Sequence, residues 1–201
     1  MAEIFTLQRF DRLASNSYIL YSGTDAAVID PSVSYERAVE LFPKIAPRVR
    51  YVILTHAHAD HFWEIESYTE RGAEVIVSSA DKPLLSDGRG NCAYFIGYDL
   101  SYNGPSLTVG EGDVISLGDT ELHVMMAPGH TAGSAVYYTD GFAFVGDTVF
   151  EGGGYGRTDL PTGDAAVMPR SIKRVLSLPG DTVLYPGHGE PFSVKRAKTY
   201  F

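Results

Sequence analysis

Short apolar runs rich in Val, Ile, Tyr and Phe recur along the chain, separated by Gly, Asp and Pro. Runs of this length and β-branched content read as strands. They fall at 17–22 (SYILYS), 26–30 (AAVID), 51–55 (YVILT) and 74–78 (EVIVS), then at 121–127, 134–139, 142–147 and 182–186. Helical spacing occurs in fewer places. Residues 34–42 put Ala38, Leu41 and Phe42 on one face and stop at Pro43. Residues 164–178 gather Val167, Ile172, Val175, Leu176 and Leu178 largely to one side, with Pro169 suited to the first helical turn. A third helix is expected near 62–71. Strands in two blocks with helices between them predict a layered α/β or α+β fold. The blocks echo each other. AAVID and AFVGD are strands that end in Asp, and YVILTHAH and TVLYPGHGE are strands that run into His. Two such halves would bring their strand ends to one edge of the molecule.

Composition narrows the class without choosing a function. The 201 residues are enough for one domain with a sizeable core. No apolar run is long enough to span a membrane. The N-terminus lacks a basic start followed by an apolar stretch. A single cysteine, Cys92, rules out an internal disulfide and fits a reducing compartment, so a cytoplasmic location is expected. The formal charge of −9 sets the average surface against a polyphosphate backbone, so neither nucleic acid nor membrane is an expected partner.

The chemistry concentrates in THAHADHFW, where three of the six histidines and one aspartate occupy residues 56–61. Neutral imidazole and carboxylate are the usual ligands of zinc and related ions. In extended backbone His56 and His58 point to the same side and can share an ion, while Asp60 and His61 lie further along the turn. More donors of the same kind sit beside glycine at strand ends: His130 in APGHTAGS, Asp147 in FVGDTVF and His188 in YPGHGEP. The sixth histidine, His123, is expected on a strand face. Cys92 has no activating motif around it and reads as a small, partly buried residue.

The ordered set THAHADH, PGHT, GDT and PGHG resembles the metallo-β-lactamase superfamily in its glyoxalase II-like (hydroxyacylglutathione hydrolase-like) branch, through nearly the whole chain. The resemblance implies an αββα sandwich, two mixed β-sheets face to face with helices on the outer faces. It implies two divalent metal ions, zinc by default, with iron or manganese held by the same ligands. By position, His56, His58 and His130 would hold one ion, Asp60, His61 and His188 the second, and Asp147 would bridge them. The implied reaction is attack by a metal-bridging hydroxide on a small thioester, with S-lactoylglutathione or another S-acyl thiol as substrate and Asp60 as the catalytic carboxylate. Two ions, two carboxylates and a hydroxide would leave the site about +1 inside an acidic protein.

A second stretch, GGGYGRTDLPTGD at 152–164, is similar to the GRTDLPGGD segment of compact bacterial members. There Arg157 would bind a substrate carboxylate, and Asp159 would orient it or cap the turn. The same resemblance admits two alternatives, a lactonase and a mononuclear-iron sulfur dioxygenase. The β-lactamases of the superfamily that use two zincs commonly carry Cys where this chain has Asp147. The chain departs from the pattern in three places. Phe62 and Trp63 replace the usual GG and either wall the metals or pack the next helix, the latter being expected. No helical C-terminal glutathione-binding region follows, so residues 1–201 are expected to form a single hydrolase domain. A loop at about 84–104, with NCAYFIGYDLSYN, carries four aromatics and either lines the cleft, lies on the surface or makes an oligomer contact.

Overall fold

A computed structural model describes residues 2–8, 14–46 and 48–201. The chain builds two six-stranded sheets, each from one continuous half of the sequence. The first contains β1 (Glu3–Leu7), β2 (Ser17–Ser22), β3 (Asp25–Ile29), β4 (Val49–Ile53), β5 (Glu74–Ser78) and β6 (Ser106–Val109), side by side in chain order. Here β1 to β3 pair antiparallel, while β3 to β6 are parallel. The second contains β7 (Val114–Leu117), β8 (Thr120–Met126), β9 (Ala135–Thr139), β10 (Phe142–Gly146), β11 (Val183–Pro186) and β12 (Phe192–Ser193), again in chain order. Among the described residues its one parallel pair is β10 with β11.

Strict alternation along the strands divides the core into three layers. Ile19, Val28, Val52, Leu54, Val75 and Val77 pack outward under α1 (Tyr35–Leu41) and α2 (Ile65–Thr69). Tyr18, Leu20, Ile29, Tyr51, Ile53 and Ile76 point the other way, against Leu117, Leu122, Val124, Tyr137 and Phe144 of the second sheet. Met125, Val136, Ala143, Val145 and Leu184 face α3 (Met168–Val175) and α4 (Val194–Ala197). Central strands buried on both faces must be apolar at every position, which is why AAVI and VIV read as unbroken runs. The result is the expected αββα sandwich.

The sequence reading needs small corrections at the edges. The helix expected over 62–71 is only Ile65–Thr69, preceded by a 3₁₀ turn at Ala59–His61. The helix expected over 164–178 begins at Met168, with Pro169 in its first turn. Strands β1, β6, β7 and β12 carry short or partly exposed patterns that gave no clear signal. Among the described residues no helix is long and apolar enough to cross a membrane.

Candidate metal centre

The C-terminal ends of β4, β10 and β11 and the β8–β9 connection meet at one edge of the sandwich. β4 delivers His56, His58, Asp60 and His61, the β8–β9 turn delivers His130, and β10 and β11 end into Asp147 and His188. The two sheets are tied together here by backbone bonds, Ala135 N to Thr55 O at 2.8 Å and Asn16 N to Gly187 O at 2.7 Å. All seven residues expected from the sequence therefore come together. His123 does not join them. It lies exposed on β8 against the Tyr138 ring, as expected.

The donor atoms form three overlapping groups, His56–His58–His130, His56–His61–Asp147 and Asp60–His61–His188, with the atoms of each within 4.8 Å of one another. Nε2 of His130 lies 2.9 Å from Nδ1 of His58 and 3.2 Å from Nε2 of His56. Asp147 stands between the groups, with Oδ2 3.5 Å from His130 Nε2 and 3.7 Å from His188 Nε2, and Oδ1 3.5 Å from His61 Nε2. Asp60 Oδ2 lies 3.3 Å from His188 Nε2 and 3.6 Å from His61 Nε2.

Surrounding residues fix which ring nitrogen is bare. His130 Nδ1 donates to the Arg157 carbonyl at 2.7 Å. His61 Nδ1 donates to Asp30 at 2.9 Å. Thr55 Oγ1 gives its proton to Asp30 and faces His56 Nδ1 at 3.2 Å as an acceptor. These bonds leave the Nε2 lone pairs of His56 and His130 confronting each other, which is repulsive unless a cation lies between them. His61 Nε2 and Asp147 Oδ1 are likewise buried without a hydrogen-bond partner among the described residues. Buried polar atoms are otherwise almost always paired. The cluster thus fits a dinuclear metal site.

Electrostatics agree with that fit. Burial, reinforced by neighbouring histidines, holds His56 well below its ordinary value. Burial and His130 push His58 down to about 3. Both rings are therefore neutral, as ligands must be. At His61 burial also pulls downward, but the Asp30, Asp60 and Asp147 carboxylates outweigh it and raise the ring to about 10. Asp60, opposed by burial, is lowered to about 2 by His61 and His188. Without metal, protons on this side supply the positive charge that the carboxylates demand.

Two buried carboxylates outside the expected ligand set, Asp30 and Asp81, hold the loops in place. Asp30, at φ +52°, follows β3 and accepts from Thr55 N, Thr55 Oγ1 and His61. The strand-end echo in AAVID was the only hint of it. Asp81 accepts from Ala57 N at 3.0 Å, Gly133 N at 2.7 Å and Thr131 Oγ1 at 2.7 Å, joining the first histidine loop to the His130 loop. Space is tight around the donors. A Cβ on Gly187 would collide with Asp147 Oδ1 and the His61 ring.

The remaining candidates divide. Phe62 is fully buried in the outer core, the packing role expected. Trp63 instead meets the Tyr98 ring edge-on at 4.5 Å. Arg157 is exposed, and its fork closes on Asp159 through bonds of 2.9 and 2.8 Å, so Asp159 does orient it. Cys92 is partly buried, at φ +69°.

Comparison with known proteins places this geometry in a lineage. An uncharacterized protein of Mycobacterium tuberculosis is 33% identical over 203 residues, covering 90% of this chain and 89% of that one. A probable metallo-hydrolase of Burkholderia pseudomallei is 32% identical, covering 86% and 67%. Among solved structures, TTHA1623 in a di-iron-bound form superposes with TM-score 0.85 at 30% identity, covering 98% of each chain. The BLEG-1 B3 metallo-beta-lactamase gives TM-score 0.87 at 25% identity, covering 99% of this chain and 97% of that one. With the family model matching residues 10–188 and all four histidine and aspartate loops converging, the chain belongs to the metallo-beta-lactamase superfamily.

Proposed function

We propose that this protein is a dinuclear metal-dependent hydrolase of small thioesters, a glyoxalase II-like reading within the superfamily. The observation that carries it is the position of Asp147, whose two oxygens face donors of both ligand groups. In this reading His56, His58 and His130 would hold one ion, Asp60, His61 and His188 would hold the other, and Asp147 would serve both. Zinc is the default occupant. The ions, when bound, acidify water to near neutrality and polarise a carbonyl.

The chain's own residues do the rest. Asp30, Thr55 and the Arg157 carbonyl keep the His61, His56 and His130 rings in their tautomers. Asp60, partly open to solvent, has Oδ2 turned toward His61 and His188, which leaves Oδ1 to accept the nucleophile's proton. The Arg157 guanidinium, oriented by Asp159 through Nε and Nη2, keeps its Nη1 side for a substrate carboxylate at the rim. A thiol of pKa about 8.5 departs as thiolate without a proton donor, whereas an amide nitrogen must be protonated. That difference favours a thioester over a β-lactam.

The di-iron form of TTHA1623 supports iron as an alternative occupant. Iron would bring the sulfur dioxygenase as the second reading. Metal analysis of the purified protein separates the two. About two ions per chain with thioester turnover supports the hydrolase, and one iron with oxygen consumption supports the dioxygenase. In Asp147→Asn, metal content is expected to fall below two per chain and hydrolysis to vanish. Full activity in that variant would refute the bridging assignment.

A further inference from the structure

The segment at residues 88–98 leans directly on the metal-binding turn. Ala59 N, between His58 and Asp60, donates to Asn91 O at 2.8 Å. Asn91 is fully buried and fastens the segment from inside through Leu100 O and Ala93 N. A short 3₁₀ turn, Ala93–Ile96, follows between two left-handed residues, Cys92 at φ +69° and Gly97 at φ +81°. The backbone is therefore held firmly, yet the side chains it carries are not buried. Tyr94 is 59% exposed, Phe95 60% and Tyr98 46%.

One of these rings joins the segment to the loop that carries the metal ligands. Tyr98 packs on Trp63, two residues beyond His61. Arg89 covers one face of Tyr94 at 4.3 Å. Among the described residues Phe95 has no such cover, and its one ring neighbour is the edge of Tyr94. Fixed backbone presenting bare aromatic rings beside a polar centre is the arrangement of a substrate-binding wall.

We propose that residues 88–98 form the specificity-determining wall of the site, selecting thioesters that carry an extended apolar group, phenyl or long alkyl, through Phe95 and Tyr98. This rests on the thioester reading above. The apolar group can belong to the acyl or to the thiol half of the substrate.

The test compares S-acetyl-N-acetylcysteamine with two relatives, the S-(3-phenylpropionyl) ester of the same thiol and the S-acetyl ester of benzyl mercaptan. Each rate is normalised to its hydroxide-catalysed hydrolysis. A phenyl-bearing substrate is expected to gain about tenfold or more in kcat/KM, since each methylene seated in an apolar site commonly alters discrimination by about tenfold. The ester that gains identifies which half meets the wall. Phe95→Ser should cut that gain by about fivefold or more, while Phe95→Leu should keep most of it. Phe95 is exposed, so neither change threatens the fold.

A second readout needs no turnover. Trp63 is the only tryptophan, and its emission should change saturably with the 3-phenylpropyl thioether of N-acetylcysteamine, which cannot be hydrolysed. The ethyl thioether should leave it unchanged, and Phe95→Ser should weaken the response. Hydrolysis without a phenyl preference, or a preference untouched by Phe95→Ser, would overturn the wall. Absence of hydrolysis on every thioester would instead defeat the thioester reading, and the fluorescence titration would then decide the wall alone: a flat response rejects it.

Discussion

Replacing Asp81 by Asn probes how the ligand loops are held without touching a ligand. Oδ2 of Asp81 accepts from Ala57 N and Thr131 Oγ1, and Oδ1 accepts from Gly133 N. A carboxamide has one acceptor oxygen. If that oxygen takes the Oδ2 position, its NH₂ confronts Gly133 N–H, and if it takes the Oδ1 position it confronts Ala57 N–H. Either way at least one buried backbone donor is stranded, at about 1–3 kcal/mol, and the surviving bonds lose their charge assistance. Burial pushes the Asp81 carboxyl up, so removing the charge returns part of that cost. The net expectation is about 2–3 kcal/mol of lost stability, which at roughly 2–4 °C per kcal/mol for a chain of this size lowers Tm by about 4–12 °C. Ala57 lies between His56 and His58, and Thr131 follows His130, so metal affinity should also fall, by about 10–100-fold as for other outer-shell changes. Thermal unfolding of the metal-free protein and competition against a chromophoric chelator measure the two effects separately. A Tm within about 1 °C of the parent, with metal affinity within about threefold, would show that Asp81 does not order these loops.

Two further outcomes follow from the same geometry. Gly187→Ala places a methyl against Asp147 Oδ1 and His61, so metal content and activity should drop by at least about tenfold with secondary structure intact by circular dichroism; an unchanged metal ratio would contradict the tight packing. Arg157→Ala removes a side chain that is exposed and paired with Asp159, while the backbone carbonyl that holds His130 stays. Metal content should hold and KM for carboxylate-bearing thioesters should rise several-fold, which steady-state kinetics on charged and neutral acyl thiols would check.

The ligand set was legible because its residue types are rare in such clusters and because strand periodicity places them at strand ends. The sandwich was legible in its centre for a related reason. Doubly buried strands such as β3 and β5 cannot tolerate polar residues, and that prohibition leaves a trace in the sequence. Strands β1 and β7 at the sheet edges are half exposed, so their composition is hardly distinguishable from that of loops. Asp30 and Asp81 escaped for a different reason. An Asp after a strand is an ordinary turn former in sequence, and only the fold reveals that these two are buried and accept three bonds each. The orientation of the aromatic segment likewise depends on Asn91, whose bond to Ala59 bridges residues far apart in the chain.

The division of the chain has a consequence for assembly. Each sheet is contiguous in sequence, with a single passage between them at residues 110–113. Four donors of the cluster come from the first half and three from the second, so neither half alone offers a complete coordination set. An ion seated there acts as a clasp across the seam, and its affinity is at the same time an adhesion between the halves. Supply of metal and stability of the sandwich are then linked: an ion held there would add its binding energy to a seam that the shared apolar core already closes, and its removal would lower the melting temperature of a fold that persists.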